Sequence, residues 1–337
     1  MMLKKQMLAA VLAGTMALSM AACGGSSAPP SSQSSGAASG GGSSDFPNKV
    51  VQVIVPFAAG GGADISVRTL SKYAEESLGQ KIVIQNVTGG SGTVGLTQLA
   101  SAAPDGYTLG YFASTNSNDN LLFEGIQYGV DSFEPILKYS ADPHIIVASK
   151  KSGITDIASL LEAGKANPGE LSLALGGAWT SHDFLRISLE QKLDINFKRI
   201  VYQGGSEAIT AVASGDVDLA VPFVSEAIPQ IQAGNVIPVA ITSAERFDVV
   251  PDIPTIKEQD VDYTHTMWRG LVAPAGTPQE VVEKLAAAFE SAWNNPDYQA
   301  EAKEAGVMTE LCIGDAFKTF YQENHETYKK MIESGLE

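Results

Sequence analysis

Cysteine is nearly absent, with Cys23 and Cys312 the only two in 337 residues, so no disulfide framework can be built. Positive charge is scarce as well: 22 Lys plus Arg stand against 38 Asp plus Glu, a formal net charge of −16, and no Lys/Arg cluster occurs. A nucleic-acid surface, which needs a positive stripe against phosphates, is excluded. Charged residues make up only 18% of the chain and hydrophobic ones 44%, which excludes disorder as its main character and provides for one large core or two moderate ones. Beyond the first 22 residues no apolar run approaches the roughly 20 residues that a membrane-spanning helix needs.

Catalytic signatures are missing too. There is no Gly-x-Ser-x-Gly elbow, no His-Glu-x-x-His and no Cys/His metal spacing. The four histidines, His144, His182, His265 and His325, are far apart with no carboxylate partner pattern. No enzyme activity, cofactor or metal is expected. His325 falls on an amphipathic helix and is expected at the surface, and Cys312 near a turn is expected to be a small packed thiol.

What is present begins with Lys4 and Lys5, then an uncharged run from Met7 to Ala22 ending in Met20-Ala21-Ala22-Cys23. This is the layout of an export signal. The small residues before Cys23 resemble a bacterial lipobox, with Met20 in place of the commoner Leu, so residues 1–22 are expected to be a lipoprotein signal peptide and Cys23 to carry the lipid. From Cys23 to Ser44, 15 of the 22 residues are Gly or Ser, with no charge and no aromatic. Such a segment behaves as a slack tether of roughly 25 Å r.m.s. span.

From Asp45 onward the pattern is strand, turn, helix, repeated. Val50–Phe57 reads as a strand and Ala63–Leu78 as a helix with Ile65, Arg68, Leu70, Tyr73 and Leu78 at helical spacing. Lys81–Gln85, Leu96–Ala102 and Tyr107–Phe112 continue the alternation, and a second series runs from Thr155 to Ile241. Alternation of this kind predicts parallel sheets covered by helices. Trp268–Ala273 reads as a further strand, followed by two long helices. Thr277-Pro278-Gln279-Glu280 opens the first of these, with Thr277 the expected cap and Pro278 the first helical residue. Val282, Leu285, Phe289 and Trp293, then Phe317, Phe320, Tyr321, Tyr328 and Met331, form the expected buried stripes.

Loops that follow strands carry the candidate site. Phe57-Ala58-Ala59-Gly60-Gly61-Gly62-Ala63-Asp64 lies between a strand and a helix, where glycines let backbone approach a ligand and the helix N-terminus favours an anion. It is not a nucleotide loop, since Ile65 stands where G-x-G-x-x-G needs Gly and no Walker Lys occurs. Ser91 within Thr88–Thr93, the run Ser114-Thr115-Asn116, Gly177-Ala178-Trp179-Thr180-Ser181-His182 and Gly204-Gly205 each follow a strand as well. In open α/β sheets ligands bind outside the carboxyl ends of strands. Taken singly, each loop serves equally well as a turn with a cap.

Several segments together resemble a known family: Phe46-Pro47 and Lys49, Val53-Ile54-Val55-Pro56-Phe57-Ala58, Gly60–Asp64, Leu78-Gly79-Gln80, Asn86, Pro104-Asp105-Gly106-Tyr107-Thr108-Leu109, Phe133-Glu134-Pro135-Ile136, Tyr202 with Gly204-Gly205, Gly215-Asp216-Val217-Asp218 and Ala273-Pro274-Ala275-Gly276-Thr277-Pro278. These are similar to the Bug-type, TctC-like substrate-binding proteins of tripartite tricarboxylate transporters. The resemblance covers nearly all of Asp45 to Glu337. It implies a type II periplasmic-binding-protein fold: two α/β lobes, 45–145 plus 263–337 and 146–262, with a hinge and a ligand cleft between them.

By the same resemblance the chain is a receptor that captures a di- or tricarboxylate or related organic acid by lobe closure and delivers it to membrane permease subunits. It would act as an extracytoplasmic monomer held to the bacterial membrane only by the lipid on Cys23. A ligand-sensing subunit for a signalling partner has the same sequence features. In the family the first glycine loop holds a ligand carboxylate through backbone N–H groups, and a Gly/Ser/His loop of the other lobe completes the site. Carried over, the ligand contacts are Phe57, Ala58, Gly60, Gly61, Gly62, Asp64, Ser91, Ser114, Thr115, Asn116, Gly177, Trp179, Thr180, Ser181, His182 and Gly204. The chain departs from the family pattern at Ala59, at Asn86-Val87-Thr88-Gly89 where Asn-Arg-Pro-Gly is common, and at the bulky Trp179.

Overall fold

The computed structural model describes residues 46–333; the leader, Cys23 and the tether lie outside the described residues. The β-branched run Val51–Val55 forms β1, and its alternation decides which core each residue joins: Val51, Val53 and Val55 face one side of the sheet and Ile54 the other. Helix α1 (Gly62–Leu78) follows. Its buried stripe is Val67, Leu70, Ala74 and Leu78, at spacings of three and four, rather than the stripe through Ile65 and Arg68 that the sequence indicated. Each of the larger apolar side chains so buried stabilises the fold by about 1.5–3 kcal/mol relative to exposure.

The first half is completed by β2 (Ile82–Asn86), α2 (Thr93–Ala100), β3 (Thr108–Ala113), the short α3 (Asp119–Leu122) and β4 (Phe133–Pro143). The chain then crosses into β5 (Ile145–Ala148), α4 (Ile157–Ala166), β6 (Ser172–Leu175), α5 (Ser181–Leu193), β7 (Lys198–Val201), α6 (Gly205–Ser214), β8 (Leu219–Ala220), α7 (Val224–Gln232) and β9 (Ile237–Ile241). It returns to the first half through β10 (Thr266–Pro274), α8 (Gln279–Trp293), α9 (Pro296–Glu304), β11 (Thr309–Ile313) and α10 (Gly314–Glu333).

Two sheets result. The first has six strands in the order β11-β4-β10-β3-β1-β2, the second five in the order β7-β6-β8-β5-β9. Both are mixed, which corrects the expectation of parallel sheets. β1 pairs parallel with β2 and β3, but β10 is antiparallel to β3 and β4, and β11 is antiparallel to β4. In the second sheet β6 is parallel to β7 and β8, while β5 is antiparallel to β8 and β9. The antiparallel pairings involve the strands that carry the chain between halves, β4, β5 and β10, because these enter a sheet without a helical crossover.

β4 went unread in the sequence because Pro135, Lys138, Ser140 and Asp142 interrupt any apolar alternation, yet nearly all of it is buried. α8 begins one residue later than expected. Pro278 occupies the cap position and the Thr277 hydroxyl donates to Pro274 O rather than capping the helix. The stripe of α8 is buried as read at Val282, Leu285 and Phe289, with Trp293 half-buried. On α10, Phe317 and Tyr321 pack with Phe112, Phe133 and Trp268 on the opposite face of the first sheet from α1 and α8.

Both crossings are tied to one residue. The Thr242 N–H donates to His144 O, its hydroxyl accepts from His144 N–H and donates to His265 O at 2.6 Å, and the His265 N–H donates back to Thr242 O. Among the described residues no helix is long and apolar enough to cross a membrane.

Candidate functional site

Four helices begin at one cavity. Its walls include Gly61, Gly62 and Ala63 at the start of α1, Thr180, Ser181 and His182 at the start of α5, Gly204, Gly205 and Ser206 at the start of α6, and Phe223 and Glu226 at the start of α7. Phe57, Ala58, Ala59, Tyr111, Ala113, Thr115, Asn116 and Met267 complete it from the first half. The cavity volume is about 70 Å³, and a buried water occupies roughly 10–15 Å³ of such space, so several waters or a small molecule fit. The first-turn amides of a helix have no acceptor within it and carry about half a positive charge together. At α1, α5 and α6 the capping residues Gly61, Thr180 and Gly204 make no side-chain cap. Three helix ends therefore face the cavity, the first amide of α1 being taken by Glu226.

An acidic residue early in each helix reaches back to brace the loop before it. Asp64 accepts from Gly60 N–H at 2.9 Å, Asp183 from Trp179 N–H at 3.0 Å, Glu207 from Gln203 N–H at 3.1 Å and Glu226 from Phe223 N–H at 3.0 Å. Asp64 also accepts from Arg68 Nε and Asn86 Nδ2, and Asn86 Nδ2 donates to Phe57 O, which fixes the loop at both ends. Burial works to raise the Asp64 pKa, but Arg68, Gly60 N–H and Asn86 outweigh it and hold the carboxyl below its usual range. Asp183 has a lowered pKa in the same way, burial being outweighed by Arg199, Trp179 N–H and Arg186.

Behind the first loop lies the fully buried guanidinium of Arg269. Its Nε stands 2.9 Å from Asp142 Oδ2, Nη1 donates to Gly62 O, and the group lies 4.3 Å from the Phe223 ring of the other half. Ser140 Oγ and Met308 N–H donate to the same carboxylate. A Cβ at Gly62 would stand 2.8 Å from Arg269 Nη2 and 3.2 Å from Ser225 Oγ, so glycine is needed there for space.

Three histidines that are far apart in sequence meet here, and one of them, His182, stands beside a carboxylate that no sequence spacing indicated. The His144 ring centroid is 5.1 Å from that of His182 and 5.3 Å from that of His265. His182 Nε2 stands 3.8 Å from Glu226 Oε2, and His144 Nε2 is 3.2 Å from Ser181 Oγ. Burial holds His144 well below its ordinary pKa and lowers His265 to about 4. For Glu226, burial pushes the pKa upward, but His182 and the N–H groups of Gly62 and Phe223 prevail and keep it below the usual range. His325 is also not the surface residue expected: its side chain is 13% exposed and its Nδ1 lies 3.1 Å from Ser117 O. Cys312 is partly buried against the aromatic cluster around Trp268, and burial raises its thiol pKa.

Of the candidate contacts read from sequence, Phe57, Ala58, Gly61, Gly62, Thr115, Asn116, Thr180, Ser181, His182 and Gly204 line the cavity. The other six do not. Gly60 and Asp64 brace the loop from behind. Ser114 is buried and accepts from Tyr328 Oη at 3.4 Å. Ser91 and Gly177 line a neighbouring cleft of about 190 Å³ that shares Phe57 with the cavity. Trp179 holds a left-handed φ of 58° with the Arg199 guanidinium 5.8 Å from its ring, outside the cavity wall. Sequence reasoning missed Tyr111, Phe223, Glu226 and Met267. A signal existed for Glu226: a carboxylate three residues after Phe223 at a helix start, the spacing of a capping box.

Two α/β halves joined by two tied crossings, with helix N-termini of both opening on one cavity, define a two-lobed periplasmic binding protein. The chain belongs to the tripartite tricarboxylate transporter receptors: the family described as "Tripartite tricarboxylate transporter family receptor" matches residues 66–335. It is 30% identical over 290 residues to the UPF0065 protein in the tcbD-tcbE intergenic region of Pseudomonas sp. strain P51, covering 85% of this chain and 86% of that one. The structure of the periplasmic binding protein BugD is similar at a TM-score of 0.79 and 30% identity, covering 86% of this chain and 98% of that one. MatC of Rhodopseudomonas palustris with bound malate is similar at a TM-score of 0.77 and 28% identity, covering 85% and 99%. The Bug-type resemblance carried by the sequence motifs is thereby borne out.

Proposed function

We propose that this chain is an extracytoplasmic receptor, anchored by a lipid on Cys23, that captures a small organic carboxylate in the cavity and delivers it to the permease subunits of a tripartite transporter. The observation that carries this is the convergence of three helix N-termini, after Gly61, Thr180 and Gly204, whose own N-cap residues make no side-chain cap, on one small cavity. Such ends hold an anion by backbone N–H groups without any cationic side chain. A relative of the same fold that carries malate supports the ligand class. The halves 45–145 with 263–337 and 146–262 would close on the ligand as a monomer, and closure would exclude water and strengthen each contact. No reaction is assigned to the site; His182 and Glu226 serve to shape it.

The direct test is a thermal-shift screen of the purified protein against carboxylates and uncharged controls. Ligand at about 100 times its Kd adds about 2.7 kcal/mol. A response confined to carboxylates is expected, and a response to neutral solutes alone would overturn the assignment. The anchor is tested by labelling cells with a radioactive fatty acid: label is expected on the native chain and absent from Cys23→Ala.

A further inference from the structure

The cavity assigned above to a carboxylate already contains one. The Glu226 side chain is 4% exposed, and it crosses from α7 of the second half to accept the Gly62 N–H of the first at 3.1 Å. Its other oxygen accepts from Phe223 N–H. An ionised carboxyl has about four acceptor positions, and these two bonds use half of them. A buried carboxylate with unfilled positions is costly unless a cation reaches it.

Among the described residues, the cations nearest to it leave those acceptor positions open. Neither Lys nor Arg occurs among the described residues that line the cavity, and the other carboxylate on the wall, Glu207, adds to the negative charge. Arg269 is not on the cavity wall; it donates to Gly62 O and pairs with Asp142, and it makes no hydrogen bond to Glu226, although the two charges attract one another. His182 Nε2, at 3.8 Å, is beyond hydrogen-bond reach and makes no hydrogen bond. His144 and His265 stand behind His182 and Phe223 in the ring cluster rather than on the wall. The arrangement is built for this carboxylate, because a Cβ at Gly205 would collide with it. Meanwhile the ends of α1, α5 and α6 still offer donors for an anion.

We propose that the solute is an amino-carboxylate, its carboxylate held by the helix N-termini and its ammonium received by Glu226, rather than a plain di- or tricarboxylate. The inference rests on the carboxylate-receptor assignment above and narrows it. A plain polycarboxylate would set a second negative group beside Glu226 with no Lys or Arg side chain on the wall between them. A zwitterion fills the spare acceptor positions and leaves the cavity's charge unchanged.

The test is calorimetric titration of the full chain with matched pairs that differ only in the amino group: L-aspartate and succinate, L-glutamate and glutarate, L-alanine and propionate, L-leucine and 4-methylpentanoate. In at least one pair the amino acid is expected to bind about tenfold or more tightly than its deaminated partner. Glu226→Gln, which keeps the shape and one acceptor, is expected to erase that preference. The pairwise comparison on the native protein decides the matter even if the variant does not fold. Deaminated acids binding as tightly as their partners, or more so, would overturn the amino-carboxylate proposal and leave the receptor assignment standing. Silence across all four pairs would overturn both.

Discussion

In the first half the cavity wall is mostly main chain and small side chains, Ala58 to Ala63, backed by a guanidinium that never reaches the cavity. In the second half Thr180, Ser181, His182, Ser206, Glu207 and Glu226 bring polar side chains to the wall, beside glycines and Phe223. On the proposed reading, helix ends of both halves, α1 in the first and α5 and α6 in the second, hold the acid by amide groups that are the same in any sequence. The polar side chains that would select among acids come mostly from the second half.

That contrast can be attacked first at its buried charges. Arg269→Met leaves Asp142 unpaired in a region with no exposure, and is expected to cost about 3–5 kcal/mol of stability in urea unfolding. The matching change in the second half, Arg199→Met, removes a partner that is 35% exposed from an Asp183 that keeps Arg186. Its expected cost is below about 1 kcal/mol. Equal costs would mean that the halves are braced alike and that the contrast is superficial.

Gly205→Ala comes next. The new methyl displaces the Glu226 carboxylate, so Gly62 and Phe223 N–H lose an ionic acceptor, an expected loss of about 3 kcal/mol. Ligand preference should change with it in calorimetry, whereas a change of stability without a change of preference would remove Glu226 from the second half's role.

Two buried groups give the pH dependence opposite signs. In the first half, burial raises the Asp119 pKa to about 7 despite hydrogen bonds from Tyr128 and Asn116. The folded form then holds a proton that the unfolded form releases near 4, so this group's stabilisation is full at low pH and is lost as pH rises toward about 7. His265, at about 4 when folded, acts with the opposite sign: the unfolded state takes up a proton below about 6.5, and stability falls as pH drops toward 4. The two oppose each other in the native chain. Asp119→Asn removes one, so its stability relative to the native chain is expected to rise by about 2–3 kcal/mol between pH 5 and pH 7. Unfolding midpoints across that range check it, and a constant difference would refute it.

The smallest effect is expected at Trp179. Trp179→Gly relieves a left-handed φ but loses the Arg199 contact, and the two offset to within about 1 kcal/mol. Ligand response in thermal shift should be unchanged, because the ring lies outside the cavity wall. A lost response would return Trp179 to the site.

Much of the first half's share was legible in sequence, because its signal is local. A β-branched run, a glycine loop and a helix occupy consecutive residues from Val51 to Leu78. The second half's share was less so. His144, His182 and His265 are brought together by the two crossings, and Glu226 meets Gly62 across 164 positions. No spacing rule spans such distances. The mixed strand directions were hidden for a related reason: periodicity reports which face a residue takes and says nothing of which way its strand runs.

The ties at Thr242 bear on how such a cavity could open. His144 and His265 are bonded to the same residue, so a turn at one crossing would be passed to the other. On the proposed closure the halves would turn about that single pin, and the molecule would act as a lever. Close to the pin, the His144–Ser181 contact would scarcely stretch. At the exposed edge, where the Ser206 hydroxyl reaches Gly60 O at 3.4 Å, the same small angle would become the full width of a door.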